Sequence, residues 1–364
     1  GFIAPSSFSF NLAVALIAGS IIGGTRSIYG AVVGAAIIQT IPLLSAGFSE
    51  WSLLVFGLLL LIGALLFKAG LAGTLNQLID RLYRARGIPR NPRHAVESLR
   101  DDDLRDFDEN VAPTRVTEVS KQFGGLKALD SVSITIEPGK VTALIGPNGS
   151  GKTTLLNMLS GFYPIDGGTI TIGDRQLNGT SAHKIHSLGV SRTFQTPRIP
   201  EHLTVEEVVE TGIWSSDPVN LLESVVRSPR ARKTRTRHRA EARRALRRLQ
   251  IEELADASAT DLPLGRRRLV EVARAVVDLP RLLLLDEPAS GLSVGETQQL
   301  SDALVELKQT PIATLLVEHN VDFVSRTADY VYVLDAGKLI AHGTPVEVMR
   351  DPAVIASYTG KAPE

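Results

Sequence analysis

The chain has 364 residues, enough for two or three domains, and 44% of them are hydrophobic. Its 39 basic and 39 acidic residues give a formal net charge of zero, so bulk charge identifies no class of partner. It contains no cysteine, which excludes disulfide bonds and thiolate metal sites within this chain. The chain starts at Gly1 without a basic leader, which is not typical of a signal peptide. We therefore expect this sequence to begin inside a longer protein.

The N-terminal part of the chain is almost free of charge. The uncharged runs cover residues 8–24, 27–49 and 51–67. A helix needs about 20 apolar residues to cross the hydrocarbon core, so these runs predict about three transmembrane helices within residues 1–75. A buried helical hairpin of a soluble protein is the alternative, but three consecutive runs of this kind are typical of a membrane segment.

Basic residues follow the last predicted span. They are Lys68, Arg81, Arg84, Arg86, Arg90 and Arg93. The positive-inside rule places this end in the cytoplasm, so we expect a multi-pass protein of the cell (inner) membrane whose next domain is cytoplasmic. Residues 76–113 mix arginine-rich and aspartate-rich patches, which is typical of a charged linker. A metal-binding loop is the alternative there, but the spacing lacks the turn glycine and closing carboxylate of such loops.

Alternating strands and helices are predicted from residue 114 onward. Short apolar runs at residues 141–145, 282–285 and 314–317 are typical of buried parallel strands. Residues 152–160 predict a helix, and the segment 331–340 reads as a hairpin with a turn at its centre. The sequence therefore predicts an α/β domain after the membrane segment and the linker.

The strongest motif is a G-x-x-x-x-G-K-T run that follows an apolar strand and precedes a helix. Glycines let backbone N–H groups approach phosphate oxygens, and the helix N-terminus adds a favourable dipole. The candidate ATP-binding residues here are Gly146, Pro147, Asn148, Gly149, Ser150, Gly151, Lys152, Thr153 and Thr154. Lys152 is expected to reach the β- and γ-phosphates, and the Thr153 hydroxyl is a candidate Mg²⁺ ligand. The motif predicts a P-loop NTPase that uses ATP and Mg²⁺.

An acidic pair follows the leucine run at residues 282–285. Asp286 and Glu287 stand at the carboxyl end of the predicted strand, where open α/β sheets bind their ligands. Asp286 suits a metal-holding role, and Glu287 suits the polarisation of a water that attacks the γ-phosphate. A solvated acidic pair is the alternative, and the phosphate loop makes it the weaker interpretation.

Three further features lie behind the phosphate loop. Gln195 is a candidate to reach both Mg²⁺ and the attacking water. Residues 262–265 open an amphipathic helix, and His319 follows the strand at 314–317, placed to contact the γ-phosphate. A single Gln or His is usually structural, but their order behind a phosphate loop favours the functional interpretation.

These motifs, in this order, resemble ABC transporter ATPases over residues 114–360. Finer features at residues 123–129, 192–195, 317–320 and 343–360 resemble the ATPase of branched-chain amino acid importers. The resemblance implies an ABC-type ATPase domain with a helical subdomain at about residues 196–280. It also implies that ATP hydrolysis is coupled to transport and that Phe123 stacks on adenine.

The N-terminal segment carries its own resemblance. Residues 22–35 and 67–73 are similar to the C-terminal end of the permease of the same importer family. The resemblance implies that residues 1–75 are a partial permease fused to the ATP-binding subunit.

The helix-opening segment departs from the family pattern. The family signature usually has serine where this chain has Pro263, and three arginines follow Gly265. Ser293 replaces the usual aspartate of the loop after the acidic pair. In this family each signature contacts the nucleotide of a partner ATPase, so Pro263 and Gly265 are expected to serve the partner's site. An asymmetric pair with a second, different ABC ATPase would tolerate these departures.

The basic run at residues 230–248 contains ten Arg and Lys residues against one Glu. Nucleic-acid binding is one interpretation, but no aromatic residue is present for base stacking. A solvated helix face or a contact with the membrane surface is favoured, and we expect no nucleic-acid partner.

The resemblance also implies the transporter's other parts, namely permease subunits and a substrate-binding protein. Branched-chain amino acids are the expected substrates, and urea or short amides are the alternative. A lipid or lipopolysaccharide exporter, a non-transport ABC protein and a regulatory module with idle catalytic residues are further alternatives. The permease-like residues 1–75 argue against the first two.

Overall fold

The structure is a computed structural model. It describes residues 111–193, 199–200, 203–213 and 229–359, together with residues 32, 34–36, 40, 106 and 108. The chain divides into two compact units, Gly1–Pro92 and Arg93–Glu364. Apart from the few positions just given, the predicted spans and most of the linker lie outside the described residues. In the described part of the chain, no helix is both long and apolar enough to cross a membrane.

Strands and helices alternate through the second unit. The strands are β1 (Thr114–Phe123), β2 (Leu126–Ile136), β3 (Val141–Ile145), β4 (Gly167–Ile172), β5 (Arg175–Gln176), β6 (Val190–Arg192), β7 (Leu282–Asp286), β8 (Ala313–Val317), β9 (Tyr330–Asp335) and β10 (Lys338–Gly343). The helices are α1 (Lys152–Leu159), α2 (Ala182–Ser187), α3 (Val205–Glu210), α4 (Pro229–Arg248), α5 (Leu264–Val276), α6 (Val294–Leu307), α7 (Val321–Thr327), α8 (Pro345–Val348) and α9 (Pro352–Thr359). The predicted α/β fold is confirmed.

A six-stranded sheet forms the centre of this unit, with the order β10-β9-β3-β8-β7-β6. All neighbouring pairs except β9 and β10 are parallel. Every residue of β3 and β8 is buried, as are the four leucines of β7. Burial of one leucine side chain contributes about 1.5–3 kcal/mol. The short uninterrupted apolar runs are therefore the buried parallel strands that the sequence predicts.

A second sheet packs beside the first. It is antiparallel, with the order β2-β1-β4-β5. Its buried side chains form one apolar cluster with α1 and with one face of the large sheet, and Val116, Leu129 and Leu155 belong to it. Packing within this cluster fixes the position of α1 and of the loop that precedes it.

The sheet order brings three loops together. Strands β3, β8 and β7 are adjacent and parallel, so their carboxyl ends lie along one edge of the sheet. The loops that leave this edge begin at Gly146, Glu287 and Glu318. Ligand sites of open α/β sheets lie at such an edge.

The helices between β6 and β7 pack on one another, and their buried side chains join one apolar cluster with the large sheet. Helix α4 packs against α3 and α5, with Ala242, Leu246 and Leu249 buried. The opposite charges of α3 face α4: Arg239 lies 3.5 Å from Glu206 and 3.2 Å from Glu210. The basic run therefore forms a packed helix, and Arg239 on it forms ion pairs with α3 inside the domain.

Candidate functional site

The phosphate loop joins β3 to α1 and requires glycine at two positions. Gly146 has φ +149°, and a Cβ there would stand 2.0 Å from the carbonyl oxygen of Leu334. Gly151 has φ +105°, and a Cβ there would stand 2.5 Å from the carbonyl oxygen of Ala128. The loop therefore lies directly against neighbouring backbone, and only glycine fits these two places.

Lys152 is buried at the start of α1. Its Nζ donates hydrogen bonds to the carbonyl oxygens of Gly146 and Pro147, each at 2.8 Å. Burial lowers the pKa of Lys152, and the charges of Glu287 and Asp286 act in the opposite direction. No described side chain caps the N-terminus of α1. An ammonium group and a helix N-terminus are thus directed to the same loop, and this arrangement suits a bound phosphate.

The acidic pair ends β7 as predicted. Asp286 pairs with Val317 in the parallel register, and the backbone N–H of Glu287 donates to the carbonyl oxygen of Val317 at 2.9 Å. Glu287 has φ +45°, which is uncommon for a residue with a side chain. Backbone of this kind occurs preferentially at functional sites, where the surrounding structure holds it.

The structure brings His319 to this acidic pair. Its Nδ1 lies 3.8 Å from Oε2 of Glu287, and its side chain is 57% exposed. At this distance the imidazole and the carboxylate flank a common space without a direct hydrogen bond. His319 and Glu287 thus meet although they are separated by a helix and a strand in the chain.

Of the other predicted site residues, the structure describes Phe123, Thr153 and Thr154. The exposed ring of Phe123 ends β1, and the edge of Tyr163 packs against it with 5.3 Å between centroids. Thr153 is exposed and Thr154 is half-buried in the first turn of α1. Gln195 lies outside the described residues.

Arg192 was not singled out by the sequence as a site residue. It ends β6, and its Nη2 donates to Oδ2 of Asp286 at 3.0 Å. Its Nη1 donates to Oδ1 of Asn157 at 2.7 Å and to Oγ of Ser160 at 2.9 Å. One guanidinium therefore joins β7 to α1 and orients the carboxylate of Asp286. The position of this arginine shortly before Gln195 is the sequence feature that could have identified it.

The signature helix α5 begins at Leu264 with Pro263 as its N-cap. Proline offers no hydroxyl, and α6 supplies an acceptor in its place. Oε1 of Glu296 accepts a hydrogen bond from the backbone N–H of Gly265 at 2.9 Å. The backbone N–H of Ser293, its hydroxyl and the N–H of Gly265 together lower the pKa of Glu296. A carboxylate thus caps the helix end that is expected to face a partner's nucleotide.

Comparisons with known proteins identify the family of this chain. A family model described as ABC transporter matches residues 129–290, and one described as branched-chain amino acid ATP-binding cassette transporter matches residues 338–364. The high-affinity branched-chain amino acid transport ATP-binding protein LivG of Salmonella typhimurium (strain LT2) is 38% identical over 248 residues, which are 68% of this chain and 97% of LivG.

Solved structures show the same fold. The ADP conformation of an ATP-binding cassette of an ABC transporter matches with a TM-score of 0.58 and 32% identity, over 68% of this chain and 98% of that one. A dimeric bacterial ABC transporter cassette matches with a TM-score of 0.53 and 22% identity, over 64% and 98%, which supports the fold alone. The chain is an ATPase, and it belongs to the family of ABC transporter ATP-binding proteins, in the branched-chain amino acid group.

Proposed function

We propose that this chain is the membrane-anchored, ATP-hydrolysing component of an importer for branched-chain amino acids. The observation that carries the proposal is that Lys152, Asp286, Glu287 and His319 lie in or after three adjacent parallel strands at one edge of the sheet, where His319 is 3.8 Å from Glu287. The LivG relative supports the substrate class through its name. Urea or short amides are the alternative substrates, because the described residues include no part that selects the substrate.

The residues of the site divide the work of hydrolysis. The glycine loop and Lys152 bind the phosphates of ATP, and Glu287 accepts the proton of the water that attacks the γ-phosphate. His319, beside Glu287, contacts the γ-phosphate, and Phe123 stacks on the adenine ring.

A divalent cation fits the donors of this site. Thr153, Gln195 and Asp286 would hold Mg²⁺, which supplies positive charge to the phosphates of the substrate. The described residues contain no cluster of three His, Asp or Glu side chains that could hold a metal alone. A hydroxyl and one carboxylate, completed by substrate phosphates, are a donor set typical of Mg²⁺.

The partner proteins follow from the signature. Pro263 and Gly265 serve the nucleotide of a second ABC ATPase, and the departure at Pro263 favours a heterodimer. Permease subunits and a substrate-binding protein complete the transporter.

The chain itself has three proposed parts. Residues 1–75 supply a partial permease of about three spans, residues 76–113 a cytoplasmic linker, and residues 114–360 the ATPase domain with its helical subdomain at about 196–280. This arrangement places a multi-pass chain in the cell membrane with its ATPase domain in the cytoplasm.

The test is reconstitution of the full chain with its permease subunits, partner ATPase and substrate-binding protein in vesicles. Uptake of radiolabelled leucine and the rate of ATP hydrolysis are measured together. We expect leucine to be taken up and to stimulate hydrolysis, and urea to do neither. Uptake of urea in place of leucine would contradict the substrate class. Absence of hydrolysis with all partners present would contradict the proposal that this chain hydrolyses ATP to drive transport.

Arg192→Ala is expected to lower the rate of ATP hydrolysis by about 10- to 100-fold, the usual cost of removing a group that orients a metal-binding carboxylate. The reason is the loss of the guanidinium that fixes Asp286 against α1. The measurement is the hydrolysis rate at several Mg²⁺ concentrations, with Arg175→Ala as the control because Arg175 is exposed on β5. A rate equal to that of the control would show that Asp286 needs no such support.

A further inference from the structure

Glu318 is a buried carboxylate between two proposed catalytic groups. It directly follows β8 and precedes His319, and its side chain has 0% exposure. A buried charge is costly unless hydrogen bonds replace its contacts with water. A buried carboxylate at Glu318 therefore requires hydrogen-bond donors in the surrounding structure.

The two oxygens of Glu318 bind two different loops. Oε1 accepts a hydrogen bond at 2.8 Å from the backbone N–H of Ala289, two residues after Glu287. Oε2 accepts hydrogen bonds from the backbone N–H groups of His319 at 3.1 Å and Asn320 at 3.4 Å. One carboxylate thus holds the loop of Glu287 and the loop of His319 at a fixed separation.

The signature helix carries a buried charge of the opposite sign. Arg268 lies in α5, three residues after Gly265, and is only 6% exposed. Burial lowers the pKa of Arg268, while the charges of Glu271 and Glu318 act in the opposite direction. Burial raises the pKa of Glu318, and the three backbone N–H groups and His319 oppose that rise. The backbone N–H groups of Ala289, His319 and Asn320 therefore favour the ionised form of Glu318.

We propose that Glu318 is a positioning residue for ATP hydrolysis, whose carboxylate sets the placement of Glu287 relative to His319 through its hydrogen bonds to both loops. The inference rests on the proposed roles of Glu287 and His319. Glu318 itself is fully buried and acts only through its neighbours.

The test uses Glu318→Gln in the full chain, assembled with its permease and partner ATPase. An amide has one acceptor oxygen, so its NH₂ group must face the N–H donors of one loop and release that loop. We expect kcat to fall by about 10- to 100-fold, while the Kd for ATP measured without Mg²⁺ changes by less than about threefold, in line with the cost of losing an orienting group. The phosphate loop is unchanged, so binding is preserved.

A second variant separates positioning from mere stability. Glu318→Asp keeps the charge but is too short to reach both loops, so the same division between kcat and Kd is expected. Glu137→Gln, an exposed matched change, is the control and should leave kcat unchanged.

Each outcome decides the matter. A kcat within twofold of the parent for both Glu318 variants contradicts the proposal, as does an equal loss of ATP binding. Loss of folding in both variants, measured by thermal unfolding, assigns Glu318 a structural role alone and also contradicts it. Glu287→Gln in the same assay separates the two levels. If that variant hydrolyses ATP normally, the proposed role of Glu287 as the base is wrong; if it is inactive while the Glu318 variants are active, only this inference is wrong.

Discussion

Glu287→Gln is expected to abolish most ATP hydrolysis, with a fall of at least about 100-fold, the usual contribution of a general base. Glutamine has the same size, so the loop and its hydrogen bond to Val317 should persist. The amide cannot accept the proton of the attacking water, which is why the rate falls. The affinity for ATP should stay within about threefold of the parent, because the variant leaves the phosphate loop and Lys152, the proposed phosphate-binding groups, unchanged. The measurement is phosphate release together with binding of a fluorescent ATP analogue.

The same variant addresses the assembly. With ATP bound and not hydrolysed, the two ATPases are expected to remain associated, so cross-linking between them should increase in the presence of ATP. Glu137→Gln serves again as the matched control. Parent-level hydrolysis by Glu287→Gln would assign the base to another residue. A parent chain without activity, with all partners present, would instead favour a regulatory module with idle catalytic residues.

Gly146→Ala is the second change with a large expected effect. The new Cβ would stand 2.0 Å from the carbonyl oxygen of Leu334 and 2.9 Å from Oγ of Ser150, so the loop must move. The φ of +149° is itself unfavourable for alanine, and strain of this kind costs about 1–3 kcal/mol. We expect the affinity for ATP to fall by about 100-fold, which equals about 2.7 kcal/mol of binding free energy. Thermal unfolding should occur at a lower temperature.

Gly167→Ala is the control for this experiment. A Cβ there would meet only Cβ of Ser120 at 3.7 Å, an ordinary contact, on a strand of the smaller sheet. Binding of ATP by this control should equal that of the parent. If Gly146→Ala binds ATP as tightly as the control does, then close approach of the loop to β9 is not required for the phosphate site.

Much of the fold and of the nucleotide site follows from local pattern. The leucine run before Asp286, the glycine run before Lys152 and the hairpin turn at Gly337 are short segments whose meaning depends on neighbouring residues alone. Burial of an apolar run between polar flanks favours a central strand, and glycines before a helix favour a phosphate loop. These predictions could be made because propensity and side-chain chemistry act over a few positions.

The contacts that complete the site required the folded chain. Arg192 meets Asp286 across 94 positions, and Glu296 meets Gly265 across 31. Glu318 contacts Ala289 across 29 positions. This contact forms because β7 and β8 are adjacent in the sheet, which no local pattern contains. Hydrogen bonds and ion pairs of this kind depend on the order of strands in the sheet. That order is set by the packing of whole elements, so local residue patterns identified the phosphate loop and the acidic pair, while tertiary packing determined which groups hold them in place.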